Sequence, residues 1–234
     1  MRAATSAGAP ARHLDGERAQ RTWDGGYVGN PEGTIWARLP FVDRAVDAIA
    51  SGAPGPVLEL PCGGGANTPP LASRLPIVVA ADRSRAAVEL ASRATEASNC
   101  VFAQADVYEL SFSSGSFAGV FCADLMGHLE HPIQALRELV RVCRPGGRIA
   151  VNFFDETDPC RLDPAMRPLG APASYLYRDI LFRFDSVDLV MGYLRQLPVR
   201  VLEIDSIRWQ EEPHPGYRDY EHEHHSVLTI LEVQ

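Results

Sequence analysis

Three consecutive glycines at positions 63–65 follow the short apolar run 57–60 in the segment VLELPCGGGANT. Glycine lets a backbone turn tightly and approach a ligand with no Cβ in the way. A tight turn without a ligand is the alternative, but three adjacent glycines cost more chain entropy than such a turn requires. The segment predicts a strand, then a ligand-binding loop, then a helix that starts near Thr68.

Acidic residues stand at the ends of successive apolar runs. Glu59 precedes the glycines, Asp82 follows the second run in VVAADRS, and Asp106 follows the third in FAQADVYEL. The carboxyl ends of parallel strands meet at one edge of a sheet, where open α/β sheets bind their ligands. A carboxylate at Asp82 can accept both hydroxyls of a ribose, and Asp106 can accept from an adenine amino group. The alternatives are a helix cap for Asp82 and an ordinary turn for Asp106.

The spacing distinguishes two nucleoside cofactors. Gly63 and Gly65 meet the dinucleotide fingerprint G-x-G-x-x-G, but its third position falls on Thr68. A dinucleotide needs amide donors and a helix N-terminus for its pyrophosphate. S-adenosylmethionine (SAM) has no phosphate and carries an ammonium and a sulfonium, which Glu59 can serve directly or through water. The spacing therefore favours SAM over NAD(P).

Short apolar runs alternate with helical segments after residue 55, which is typical of βαβ units and a parallel sheet. We predict strands at 57–60, 77–81, 101–105, 117–123, 148–154, 199–207 and 226–233. Helices are predicted near 41–51, 68–74, 85–97, 132–143 and 187–197, with an irregular segment over 155–185. Residues 1 to about 22 are predicted to be a mobile arm, so the chain divides into an arm with a lid helix (1–50) and one compact domain (51–234).

Four segments, ELPCGGG, AADRS, QADVYELSFSSGSFAGVF and LVRVCRPGGRIAV, resemble the successive motifs of class I SAM-dependent methyltransferases over about residues 57–154. The resemblance implies an α/β fold, a Rossmann-like three-layer sandwich whose seven-stranded sheet is mostly parallel with the last strand antiparallel. It implies SAM as the cofactor and S-adenosylhomocysteine as the product.

The resemblance also implies which residues bind each part of the cofactor. The methionine part would contact Glu59 and the loop with Pro61, Gly63 and Gly65, and the ribose would contact Asp82 beside Arg83. The adenine would contact Asp106 and Val107, and the floor after the fourth strand would be Ala123 and Asp124. Pro61 departs from the family pattern, because it replaces the usual first glycine and removes a backbone N–H.

The implied reaction is attack by an O, N or C atom of a small acceptor on the methyl group, in which positioning supplies much of the acceleration. His128, in ADLMGHLEHP, is the leading candidate for a general base, and His131 is the alternate, since imidazole titrates near neutral pH. The other interpretation of His128 is packing without proton transfer.

Aromatic residues outside the matched core predict the acceptor pocket and its lid. The candidates are Trp23, Tyr27 and Trp36 on the N-terminal side, and Tyr175, Tyr177 and Phe182 after the fifth strand. Closure of the core is the alternative for each ring.

Four of the seven histidines lie close together before the last predicted strand. In an extended segment His222 and His224 share one face and His225 points to the other. A metal ion would need further ligands such as Asp124 or Asp155. We assign no metal site and interpret the segment as the solvated start of a strand, in which glutamates pair with the histidines. A histidine that reaches the acceptor pocket is the alternative.

Composition limits the partners. A net charge of −8 excludes a strongly basic surface, so neither nucleic acid nor a membrane is an expected partner. All 22 cationic residues are arginines, which we interpret as the coding bias of a GC-rich, bacterial genome and associate with specialised metabolism. Five cysteines without a C-x-x-C pair, and no signal-like segment, predict a cytoplasmic protein. We expect a monomer or a homodimer.

Two other functions remain open. An NAD(P)-dependent oxidoreductase is disfavoured by Thr68, which stands where the dinucleotide fingerprint has its third glycine, and by Glu59 before the glycine loop. A SAM-binding protein that does not methylate, such as a cyclase or a regulatory protein, would share every cofactor residue named above.

Overall fold

A computed structural model describes residues 16–29, 38–170, 173–213, 218 and 220–234 of the chain, so Trp36 lies outside the described residues. The α-helices are α1 (Glu17–Gly29), α2 (Val42–Ala50), α3 (Thr68–Ala72), α4 (Arg85–Ala94), α5 (Pro132–Val142) and α6 (Val187–Leu194). Two 3₁₀ helices cover Met126–His128 and Pro159–Leu162. None of the described helices is both long enough and apolar enough to cross a membrane.

Within the described residues, ten strands form two sheets. They are β1 (Pro56–Glu59), β2 (Ile77–Asp82), β3 (Cys100–Gln104), β4 (Phe117–Cys122), β5 (Cys143–Phe154), β6 (Arg167–Pro168), β7 (Ser174–Tyr177), β8 (Ile180–Arg183), β9 (Val199–Glu211) and β10 (His222–Val233). The large sheet has the order β3-β2-β1-β4-β5-β10-β9. Strands β1 to β5 pair in parallel, whereas β10 is antiparallel to both β5 and β9. The predicted seven-stranded sheet with its last strand antiparallel is confirmed.

Helices cover both faces of this sheet and bury two apolar clusters against it. One cluster holds Leu136 and Leu139 of α5 and Val190 of α6. The other holds Val46 of α2 and Leu71 of α3. Every residue of β4 is buried, as expected for a central parallel strand covered on both sides. The result is the predicted three-layer sandwich, with the carboxyl ends of its parallel strands at one edge.

The N-terminal part differs from the prediction. Helix α1 begins at Glu17, inside the predicted mobile arm, and it contacts α4 and β8. Trp23 and Tyr27, one turn apart, pack against Leu90 of α4. Two glycines lower the intrinsic helix propensity of α1, so this tertiary contact stabilises it. Helix α2, within the predicted lid region, lies against the sheet instead.

The segment 155–185 was predicted to be irregular, and this prediction is wrong in part. Strands β6, β7 and β8 form a small antiparallel sheet there. Its buried side chains include Tyr177, Ile180 and Phe182. The turn between β7 and β8 contains Arg178 at a φ of 54°. Short strands interrupted by turn residues carry too little local pattern to be recognised, and packing on the large sheet decides their structure.

Three strands are longer than predicted. Strand β5 begins at Cys143 rather than at residue 148, β9 continues to Glu211, and β10 begins at His222. The added ends of β9 and β10 are polar and pair in register, with His222 opposite Glu211 and His224 opposite Trp209. Ladder hydrogen bonds hold this extension, in which β10 contributes only polar residues.

Candidate functional site

A cavity of about 220 Å³ lies at the carboxyl ends of β1, β2, β3 and β4, with α1 across it. The predicted site residues that line it are Tyr27, Pro61, Gly63, Asp82, Arg83, Asp106, Val107, Ala123, Asp124 and His128. Those that do not line it are Glu59, Gly65, His131, Tyr175 and Tyr177. The strand ends bring the first group together because parallel strands expose their carboxyl ends at the same edge.

The glycines have separate roles. Gly63 has a φ of 51°, and a Cβ added there would lie 3.2 Å from the Tyr27 hydroxyl oxygen. Gly65 has a φ of 92°, and its added Cβ would lie 3.1 Å from Cα of Ala91 in α4. Only glycine adopts such backbone angles without strain. Gly63 therefore presents bare backbone to the cavity, whereas Gly65 allows the loop to pack on α4.

Asp82 ends β2 and links it to the glycine loop. One carboxylate oxygen accepts the N–H of Gly63 at 3.0 Å, and the other accepts the N–H of Ser84 at 2.8 Å. Burial raises the pKa of Asp82 to about 6, while the Ser84 and Gly63 N–H groups oppose that shift. Ser84 caps α4 by accepting from Ala87, so the capping alternative for Asp82 is wrong. Asp82 stands on the cavity wall with further lone pairs to offer.

Asp106 follows β3 and belongs to a more open part of the wall. Its carboxylate lies 3.3 Å from Arg83 Nε and accepts the N–H of Tyr108 at 3.0 Å. Its side chain is 39% exposed, so water weakens the ion pair with Arg83. The buried Val107 lies next to it on the wall. This end of the cavity combines a hydrogen-bond acceptor, an apolar surface and access to solvent.

Glu59 lies behind the loop. It is 0% exposed and is absent from the cavity wall, and neither carboxyl oxygen has a hydrogen-bond partner among the described residues. Burial raises its pKa to about 8, with a smaller contribution from the charge of Asp82. Its carboxyl group is therefore neutral at pH 7. Glu59 therefore lies outside the cavity wall, and its role toward the methionine part of the cofactor stays a prediction.

Asp124, after β4, depends on a residue that the sequence did not identify. Its φ is 53°, a rare value for aspartate, and its N–H and carboxylate both bond the side-chain amide of Asn152 at 2.8 and 2.7 Å. Burial raises the pKa of Asp124 to about 6. Asn152 is a buried polar residue within the apolar run IAVNFF of β5, and that contrast was the available signal.

His128 faces the cavity with one defined tautomer. Its Nδ1 lies 2.8 Å from the carbonyl oxygen of Leu181, which can only accept, so Nδ1 carries the proton and Nε2 the lone pair. Trp23, Phe154 and Phe182 surround the imidazole edge-on, with ring centroids 4.7 to 5.2 Å away. Burial lowers the pKa of His128 to about 4, so the ring is neutral at pH 7.

The alternate base and two predicted pocket tyrosines lie elsewhere. His131 is exposed at the start of α5, where its backbone N–H donates to the Tyr108 hydroxyl. Tyr175 and Tyr177 pack in the apolar cluster of the small sheet, as the alternative of core closure expected. The predicted aromatic residues Trp23 and Phe182 do line the cavity. Phe182 stands on β8, whereas the two tyrosines stand on the neighbouring strand β7.

A polar group closes the far end of the cavity. Its members are Trp209, Glu211, Arg218 and His224. His222 and His225 are buried, so the prediction of a solvated segment is wrong, although His225 does point away from its neighbours toward Thr157. Alternate positions of β9 carry Trp209 and Glu211, and this period of two was the signal for them. The isolated Arg218 had no such signal.

The polar group is held by charged hydrogen bonds. His224 Nδ1 lies 3.1 Å from an oxygen of the buried Asp158, and its Nε2 lies 2.8 Å from Glu211. Burial alone would lower the pKa of His224, but the bonds to these carboxylates raise it well above its ordinary value. The Arg218 guanidinium stacks over the rings of Tyr177 and Phe182.

Comparison with known proteins shows related sequences. Residues 58–151 match the family described as a methyltransferase domain. The chain is 35% identical over 108 residues to a demethylmenaquinone methyltransferase of Clavibacter sepedonicus, covering 46% of this chain and 44% of that protein. It is 27% identical over 196 residues to the O-methyltransferase resE of Aspergillus sclerotiorum, covering 80% of this chain and 72% of that protein. The chain spans about half the length of most of the first curated relatives it matches.

The fold is shared with solved structures at low identity. A structure described under the conversion of a disulfide bond into a thioacetal group during echinomycin biosynthesis superposes with a TM-score of 0.70 at 20% identity. The superposition covers 92% of this chain and 93% of that one. The likeness therefore extends beyond the matched domain to the antiparallel end of the sheet.

Proposed function

We propose that this chain, which belongs to the class I SAM-dependent methyltransferase family, transfers a methyl group from SAM to an O, N or C atom of a small molecule of bacterial specialised metabolism. S-adenosylhomocysteine is then the product. The observation that carries the proposal is the carboxylate of Asp82, which faces the cavity beside the bare backbone of Gly63. The matched family and these residues together disfavour an NAD(P)-dependent oxidoreductase.

The residues on the wall fit the cofactor. Both oxygens of Asp82 accept backbone N–H groups, and the carboxylate also faces the cavity, where its remaining lone pairs can accept from ribose hydroxyls. Backbone groups at Gly63 are accessible for the charged methionine part, since a Cβ there would fill the space below Tyr27. Asp106 offers a hydrogen-bond acceptor for the amino group of an adenine, and Val107 offers an apolar contact for its ring.

Residues of the floor and of the loop complete the proposed site. Ala123 and Asp124 follow β4 and line the cavity, and Asn152 holds Asp124 in its unusual backbone conformation. Pro61 lies on the wall without an N–H to offer, and the N–H groups of Gly63 and Gly65 donate to Asp82 and to the Cys62 carbonyl. Gly64, which also lines the cavity, has the remaining N–H of the glycine run. We assign Glu59 a supporting role behind the loop, because its neutral, enclosed carboxyl group cannot act as a counterion.

Bound SAM supplies a methyl group activated by the sulfonium. The chain must hold the acceptor in line, exclude water and take up a proton. The lone pair on His128 Nε2 accepts a hydrogen bond from an acceptor O–H or N–H, and the surrounding rings of Trp23, Phe154 and Phe182 keep water out. For a hydroxyl acceptor, a base with a pKa of about 4 is sufficient, because the attacking oxygen becomes strongly acidic as it is methylated.

The shape of the cavity suggests the character of the acceptor. Its middle is walled by Ile180, Leu181 and Phe182, and its far end by Glu211 and Arg218. We expect an acceptor with an apolar ring or chain and one polar end. The alignment with an O-methyltransferase over 80% of this chain supports a hydroxyl as the methylated group.

Titration calorimetry with S-adenosylhomocysteine tests cofactor binding, with NADH as the matched control. We expect heat from S-adenosylhomocysteine and none from NADH. A well-folded protein that gives no heat with the first, or heat only with the second, would overturn the proposal. Incubation with SAM and a panel of phenols, quinols and amines, followed by mass spectrometry, then identifies which acceptors gain one methyl group.

A further inference from the structure

Three chain segments bring two imidazoles, a carboxylate and a thiol together beside the cavity. His222 and His224 begin β10, Glu211 ends β9, and Cys160 lies in the 3₁₀ helix Pro159–Leu162. The ligand atoms of Cys160, His222 and His224 lie within 4.8 Å of one another. An oxygen of Glu211 lies 3.6 Å from His222 Nε2 and 2.8 Å from His224 Nε2. We propose that these four side chains form a Zn²⁺ site, separate from the SAM residues.

Both histidines are oriented as metal ligands are. His222 Nδ1 lies 2.9 Å from the carbonyl oxygen of Tyr220, and His224 Nδ1 lies 3.1 Å from an oxygen of Asp158. Metal-ligating histidines almost always donate the second ring N–H to a carbonyl or carboxylate in this way. The two Nε2 atoms then face the same oxygen of Glu211. Asp158 also accepts the N–H of Cys160 at 2.7 Å, so one carboxylate orients two of the proposed ligands.

The donor set selects the ion. Two imidazole nitrogens, a carboxylate and a thiol suit Zn²⁺, whereas Mg²⁺ and Ca²⁺ prefer oxygen ligands alone. Bonds of about 2.0–2.3 Å in a tetrahedron place ligand atoms about 3.3–3.7 Å apart. The distances of 2.8 and 3.6 Å from a Glu211 oxygen to the two Nε2 atoms require only small shifts. Cys160 Sγ, within 4.8 Å of the histidine ligand atoms, would have to move closer to them when the ion binds.

The charges of the cluster are compatible with a divalent ion. A Zn²⁺ ion would bind the carboxylate of Glu211 and the thiolate of Cys160 together with the two neutral imidazoles, so two anionic ligands would offset its charge. Arg218 Nη1 lies 2.9 Å from Cys160 Sγ and donates to it, which stabilises the thiolate that the ion requires.

An ion-pair network without metal is the competing explanation. That network needs only Asp158, His224 and Glu211, which already form a continuous chain of hydrogen bonds. His222 contacts this network through Glu211 at 3.6 Å, and its ring centroid lies 4.8 Å from that of His224. A metal ion would bind all four converging side chains at once, which the ion pairs by themselves do not require.

Metal titration of the full chain, after dialysis against a chelator, tests the proposal. We expect calorimetry with Zn²⁺ alone to show one site, and the fluorescence of Trp209, 5.3 Å from His224 by ring centroid, to change in parallel. Co²⁺ should give the visible bands of a tetrahedral site and a thiolate-to-cobalt charge-transfer band. No saturable binding by the wild-type chain, or cobalt spectra without the thiolate band, would overturn the site as described.

Matched variants separate these ligands from their neighbours. His222→Ala and Cys160→Ser should each weaken Zn²⁺ binding by roughly 100-fold, at least the loss seen when a residue supporting a ligand is removed. His225→Gln is the control, because this adjacent histidine contacts Thr157 on the other face and should leave the affinity unchanged. Equal loss in the control contradicts the proposal. A chain that binds S-adenosylhomocysteine but no Zn²⁺ refutes this site and leaves the proposed methyl transfer intact.

Discussion

Acidification is expected to weaken the binding of S-adenosylhomocysteine through one carboxylate, Asp82. Burial raises its pKa to about 6, and only the ionised form accepts both ribose hydroxyls without giving up an acceptor position to a proton. The sign follows directly: affinity is full above about pH 7 and is lost as the pH falls through 6. An acid with this pKa is about 90% ionised at pH 7 and about 10% at pH 5, so the apparent Kd rises about tenfold.

Calorimetry from pH 5 to 8 measures this change, and Asp82→Asn supplies the control. The amide keeps the shape of the side chain but loses the charge, so binding at pH 8 should weaken by about 1–3 kcal/mol, or about 5- to 150-fold in Kd. The variant should also lose the tenfold pH dependence. It keeps Asp124, whose pKa burial likewise raises to about 6, so any slope that remains reports on that second carboxylate.

Two results would refute this reasoning. A wild-type Kd that changes less than about threefold between pH 7 and pH 5 would show that Asp82 does not titrate in this range or does not bind the ligand. The same slope in the wild type and in Asp82→Asn would assign the pH dependence to another group. Thermal melts without ligand at each pH exclude partial unfolding as the cause.

His128→Gln should lower turnover with an accepted substrate by about 10²- to 10⁴-fold and change S-adenosylhomocysteine affinity little; equal turnover would make the ring a packing residue. Gly127→Ala should lower the free energy of unfolding by about 1–3 kcal/mol, since the added Cβ would clash with the ring of Phe154. Gly192→Ala in α6 is the matched control: its Cβ would meet nothing within 4 Å, and alanine favours a helix, so the melting temperature should rise. Asn152→Ala should cost about 1–3 kcal/mol in urea denaturation, because Asp124 loses both bonds that hold its backbone; an unchanged midpoint would contradict this.

The sequence by itself determined the parallel core and most of the cofactor wall. The glycines at 63–65 and the acids Asp82 and Asp106 are recognisable because each follows a contiguous apolar run. Strand period, turn residues and their order along the chain are local properties, and the geometry of a parallel sheet then brings the strand ends together. The cavity wall holds both of these aspartates, as this logic requires.

Only the tertiary structure decided the far end of the cavity and the depth of each side chain. Glu59 shares the strand-end pattern of Asp82, yet it is fully enclosed behind the loop, because burial depends on packing from several elements. Cys160 and His224 are 64 positions apart, and no local period connects them or Arg218. Helix α1 similarly exists through contacts with α4 and β8 rather than through its own propensity. Such contacts join residues distant in the chain, so they are properties of the folded molecule alone.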